Sequence, residues 1–134
     1  MTSMADHLRA ITAKLPTTTP ADIFAPEPGR QPPFWSVEAP GWGADPDSAL
    51  DDHARAFQVD VRIRAVAGRP EGVGILLDQA RAAVPGRLAV AGRRAEIQWT
   101  RSEFIALDPD STIPATGRHP AVGVDTYSLT SQPL

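Results

Sequence analysis

At 134 residues, 42% hydrophobic and without cysteine, the chain supplies one domain over 1–134 with a modest core, and it can form neither disulfides nor thiolate–metal sites. No stretch approaches the roughly 20 apolar residues of a membrane span. Asp6, His7, Arg9 and Lys14 stand where the apolar core of a signal peptide would lie, and a formal net charge of −3 argues against nucleic acid, sequence-specific or otherwise, as the main partner.

In chain order, Ala5–Leu15 reads as a helix, because Met4, Leu8, Ile11 and Leu15 recur at helical spacing. Ser3 suits the N-cap and Asp6 the first turn. Pro16 stops this helix. Asp22–Ala25 reads as a short strand, followed by a stiff loop carrying Pro26, Pro28, Pro32 and Pro33. Phe34–Ala39 is a further strand, ended by Pro40 and Gly41. Residues 42–53 are turn-forming and acidic, an excursion into solvent.

The clearest signal follows. Phe57, Val59, Val61, Ile63 and Ala65 alternate with Gln58, Asp60, Arg62 and Arg64, the period of a strand with one buried face and one polar face. Pro70–Val84 is a second helix, with Val73, Leu76, Leu77, Ala80 and Val84 as its stripe. Arg87–Ala91 reads as a short strand, and Ala95, Ile97 and Trp99 mark another. Phe104–Leu107 is a short apolar run and 108–120 a long loop. Val122–Thr130 closes the chain as a strand, and the phase change from Val122 and Val124 to Tyr127 and Leu129 suggests a bulge there. The order predicts an α+β fold: a mainly antiparallel sheet of four to five strands, with two helices packed on one face.

Candidate chemistry is sparse. His7, His53 and His119 lack the spacing of a metal site and read as solvated polar residues. Asp-Pro-Asp-Ser occurs at 45–48 and again at 108–111. Acidic loops can hold a hard cation, but EF-hand spacing is missing and these residues favour turns, so no metal is assigned. Neither a nucleophile elbow nor a phosphate-binding glycine loop is present, so no catalytic residue, enzyme activity or cofactor is expected. Trp35, Trp42 and Trp99 suit a core, an interface or a stacking platform; Trp42, between two glycines, is the one expected to be exposed. Charge is segregated: residues 55–101 carry nine arginines against four acids, and the rest of the chain is acidic. Such a chain can dock head-to-tail with its own copies.

Taken together, an N-terminal helix, the "PPFWSVEAPGWG" strand, "RAFQVDVRIRAVAGRPEGVGILLDQARAAVPG", "RAEIQWTR", an aspartate-rich loop and the closing "VGVDTYSLTS" resemble the tail terminator, or tail-completion, proteins of long non-contractile-tailed phages of the lambda type. The long proline-rich 16–33 connection departs from that pattern. The resemblance implies a homo-oligomeric ring, generally a hexamer, that caps the tail tube, ends its polymerisation and presents a surface for head attachment, without catalysis. It implies as partners further copies of the chain, the tail tube protein and a head–tail connector protein, and as location the virion tail, assembled in the host cytoplasm. Within a ring, Asp60, Arg62 and Arg64 on the polar strand face, Trp42, and the acidic loops with Asp45, Asp47, Asp108 and Asp110 are the candidate interface residues. Loops 40–54 and 108–121 are expected to gain order on contact. Three alternatives stand beside this reading: a head–tail connector or stopper component, a small α+β ligand-binding domain or enzyme with a cleft lined by Trp35, Trp99 and Tyr127, and a regulatory interaction module with no assembly role.

Overall fold

The computed structural model of the chain describes residues 3–40 and 56–134. Helix α1, Met4–Thr12, begins with a reciprocal cap. The Ser3 hydroxyl accepts from the Asp6 N–H at 3.2 Å, and the Asp6 carboxylate accepts from the Ser3 N–H at 2.7 Å. Two orphan amides at the helix start are thereby satisfied. Its stripe of Met4, Leu8 and Ile11 is fully buried.

The strands are β1 (Ala21–Ile23), β2 (Phe34–Glu38) and β3 (Phe57–Ala67), then, after helix α2 (Pro70–Ala83), β4 (Gly86–Leu88), β5 (Arg93–Ser102), β6 (Ala106–Leu107) and β7 (Ala121–Pro133). They form one seven-stranded sheet in the order β1-β2-β3-β7-β5-β4, with β6 also paired to β7. Every pairing is antiparallel except β1 with β2, which is parallel.

The fold is α+β, as expected, but the sheet is larger than four to five strands and is mixed. Parallel neighbours cannot be joined by a tight hairpin. The proline-rich connection between β1 and β2, read from sequence only as a stiff loop, is what returns the chain for parallel pairing. Phe24, at a left-handed φ of 71°, turns the chain out of β1 into it. The short strands β4 and β6 hold three and two residues, too few to show a period.

Strand β3 alternates as its sequence dictates. Val61, Ile63 and Ala65 are buried, and Gln58, Asp60 and Arg64 are exposed. Both helices lie on the apolar side and share one core with Trp35, Ile97, Tyr127 and Leu129. The expected bulge is present on β5 rather than β7. Trp99 pairs with Tyr127 and Arg101 with Thr126, leaving Thr100 as the extra residue. Strand β7 runs in unbroken register with β3. Its Val122 is apolar because it borders a groove on the outer face, not because the strand changes phase.

Candidate functional site: the outer sheet face and its groove

The face of the sheet away from the helices is polar and charged. Cross-strand register sets Glu38 beside Arg62, Arg62 beside Thr126, and Thr126 beside Arg101. Two arginines therefore flank Thr126 on adjoining strands. The Thr126 hydroxyl is buried and has no hydrogen-bond partner among the described residues. Gln58 donates to the Ser128 hydroxyl at 3.0 Å one row further along. Arg62 and Arg64 form no ion pair with a described residue.

At one end of this face lies a groove of about 390 Å³. Phe34, Arg64 and Val66 form its floor, where strand side chains point outward. One wall is the proline-rich connection, through Pro26 and Pro32, and the other is the 108–120 loop, through Ile113 and Pro120. Each wall is tied down. Arg30 donates to both carboxylate oxygens of Asp22, at 2.9 and 2.7 Å, and pairs with Glu27 at 2.9 Å. The Arg30 hydrogen bonds hold the Asp22 carboxyl below its usual range.

Opposite, the Asp108 N–H donates to the Pro120 carbonyl and the Ile113 N–H to the Arg118 carbonyl, both at 2.8 Å, and His119 Nδ1–H donates to the Ser111 carbonyl at 2.7 Å. The 108–120 loop thus has a hydrogen-bond framework of its own. Asp108 accepts from the Asp110 N–H and the Ser111 hydroxyl, the turn chemistry read from that tetrapeptide.

The structure therefore brings Arg64 and Asp108 to one groove. Asp60 and Arg62 sit further along β3, bordering a second depression with Pro40, and Asp110 is exposed on the loop. Trp42, Asp45, Asp47 and His53 lie outside the described residues. The cleft of Trp35, Trp99 and Tyr127 does not form: Trp35 and Tyr127 are fully buried in the core, and only Trp99 reaches solvent. Burial also pushes the Tyr127 phenol far above its ordinary value, and its hydroxyl has no partner among the described residues.

Two polar clusters on the helix side, each built on a buried titratable side chain, were not read from sequence. His7, expected to be solvated, is fully buried. Its Nδ1 lies 2.8 Å from the Ser3 carbonyl, which can only accept, so Nδ1 carries the proton. Nε2 then accepts from the Ser131 hydroxyl at 2.8 Å, and that oxygen accepts from Arg93 Nε at 2.8 Å. Burial, reinforced by nearby Arg93, lowers the His7 pKa from its ordinary value, against the opposing Ser3 hydrogen bond. The signal was available: position 7 lies three residues after Met4 and four before Ile11, within the apolar stripe.

The second cluster joins α2 to β7. Arg81 donates to both oxygens of the fully buried Asp125, at 2.7 and 3.0 Å. Ser102 lies between them, bonded to each, and the Arg81 guanidinium stacks 5.2 Å over Trp99.

Among the described residues no group of three or more His, Asp or Glu is placed to hold a metal, and no helix is long and apolar enough to cross a membrane. No model of a known protein family matches the chain, and no curated protein matches it. Among solved structures it is similar to a chain described as "Virion of native gene transfer agent (GTA) particle". The TM-score is 0.53 at 14% identity, over 96% of this chain and 92% of that one. The likeness runs almost end to end through both chains, and it shows a shared fold.

Proposed function

We propose that this chain is a structural component of a virion: a subunit of a ring that caps the tail tube, ends its growth and offers a surface for head attachment. The observation that carries the reading is the fold shared along nearly the full length of both chains with a virion chain. The coarser part, a virion structural role, rests on it directly. The finer part, the capping ring, adds the resemblance of the sequence to the tail terminator proteins.

The geometry supports a subunit built for contact. A ring needs heterologous contacts, one face of each copy against a different face of the next. Arg62 and Arg64 stand on an open sheet face without ion pairs among the described residues, and Asp108 and Asp110 stand on a loop beside it. In the ring the arginine face of one copy meets acidic loops of its neighbour. The reading gives the chain an assembly role without catalysis, as the resemblance to the tail terminator proteins implies.

Native mass measurement with and without Mg²⁺ tests the ring. A hexamer agrees with the proposal, and a monomer at every concentration, also with tail tubes present, contradicts it. Binding to purified tail tubes rather than to head portals separates a tail cap from a head–tail connector.

A further inference from the structure

Two margins of the sheet are blunted against further pairing. Strand β1 holds three residues and lies between Pro20 and Pro26. On β4, Lys14 Nζ donates to the Arg87 carbonyl at 3.1 Å. Short edge strands, prolines and lysines are the means by which sheets refuse another strand. The margin made by the end of β5 and by β6 has none of these. Strand β4 pairs with β5 only from Ala95 to Ile97, and beyond that point β7 is the one described strand beside the chain.

Ala95 and Ile97 are fully buried, yet every residue from 98 to 107 is exposed. Trp99, Phe104, Ile105 and Leu107 are the large apolar side chains on this margin, and Phe104 is 98% exposed. Backbone groups that face away from β7 here have no strand partner among the described residues. An open edge with bare apolar side chains is a template for a further strand.

The sequence of the margin picks the strand. Ser102 faces inward to Asp125, so Arg101 and Glu103 stand on either side of it on the outer face. Neither forms an ion pair with a described residue. Let the edge pair antiparallel with the same edge of a second copy, about a two-fold axis at Ser102. Arg101 of each copy then falls opposite Glu103 of the other. Trp99 falls opposite Ile105, which lies on the core face beside Val73 and Leu77. Moving the axis one residue either way sets Arg101 opposite Arg101, or Glu103 opposite Glu103, and like charges directly opposite are destabilising. Charge therefore fixes one register of self-pairing.

We infer that the 98–107 edge is a self-recognition site: it pairs antiparallel with the same edge of a second copy, extending one sheet across two subunits, with reciprocal Arg101–Glu103 ion pairs and the apolar side chains covered. The contact is isologous and joins copies in pairs. It goes beyond the ring reading, because it uses neither Arg62 nor Arg64 and does not need a ring.

The absence of native cysteine makes disulfide trapping specific. Ser102→Cys, on the axis, is expected to cross-link to itself under mild oxidation. Gln31→Cys, exposed on the connection at the other end of the sheet, is the control and is expected to stay monomeric. Arg101→Glu is expected to weaken self-association roughly tenfold in light scattering, and adding Glu103→Arg in the same chain to restore it. Phe104→Asp is expected to weaken it at least about thirtyfold with unchanged circular dichroism, because the side chain is outside the core. Hexamers in which Ser102→Cys does not cross-link, and which Phe104→Asp leaves intact, overturn the contact and leave the ring standing. A cross-linked dimer that never grows supports the contact and counts against the ring alone. Wild type that stays monomeric at every concentration, with no cross-link, overturns the contact as well.

Discussion

Gly123 of β7 leaves a space that Val73 of α2 occupies: a Cβ built at position 123 would lie 2.6 Å from Val73 Cγ1 and 2.9 Å from Leu77 Cδ1. The helix packs against the sheet at this depth because residue 123 has no side chain. Gly123→Ala is therefore expected to destabilise the fold by about 1–3 kcal/mol through overpacking. Urea unfolding of the variant measures it, and a midpoint equal to wild type contradicts this packing.

Arg81 is the partner of a carboxylate with no access to water. Asp125 is fully buried, whereas the Arg81 side chain is 36% exposed. Removing the cation strands the charge, and removing one member of such a pair costs far more than the intact pair contributes. Arg81→Met is expected to lose about 3 kcal/mol, the low end for a buried pair, since Ser102 still donates to Asp125. The double variant Arg81→Met/Asp125→Asn should recover a large part of that loss. Equal stability of single and double variants by chemical unfolding contradicts this.

His7 makes stability depend on pH. Its folded pKa lies below the ordinary 6.5, chiefly because burial disfavours the charged ring. Between the two values the unfolded chain binds more protons, so stability is full above about 6.5 and falls as pH drops below it. The structure supplies the reason, since Ser3 and Ser131 both fit a neutral ring protonated at Nδ1. The urea midpoint is expected to be lower at pH 5.5 than at 7.5. A midpoint at pH 5.5 equal to or above that at pH 7.5 contradicts the neutral, buried ring.

What sequence could and could not disclose follows from periodicity. Strand β3 was legible because five apolar and four polar residues alternate without a break, and α2 because Val73, Leu76, Leu77 and Ala80 keep helical spacing. The parallel pairing of β1 was hidden, since direction is set by a long connection and not by any residue in the strand. The groove was hidden for a related reason. Its walls are loops rich in proline and aspartate, which carry no period, and only hydrogen bonds such as Asp108 to Pro120 and Arg30 to Asp22 give them shape. Arg64 and Asp108, both chosen from sequence, border that groove. The run from Phe104 to Leu107 was visible as apolar, but not its exposure, which depends on lying at a sheet edge that no further described strand covers. Trp35 and Tyr127, the lining of a cleft in one alternative, are fully buried in the shared core.

The capping role is tested most directly by polymerising purified tail tube protein with and without this chain and imaging the tubes by electron microscopy. A ring-forming cap shortens the tubes and leaves added density at one end of each. Tubes of unchanged length with bare ends, at chain concentrations well above that of tube ends, would contradict it.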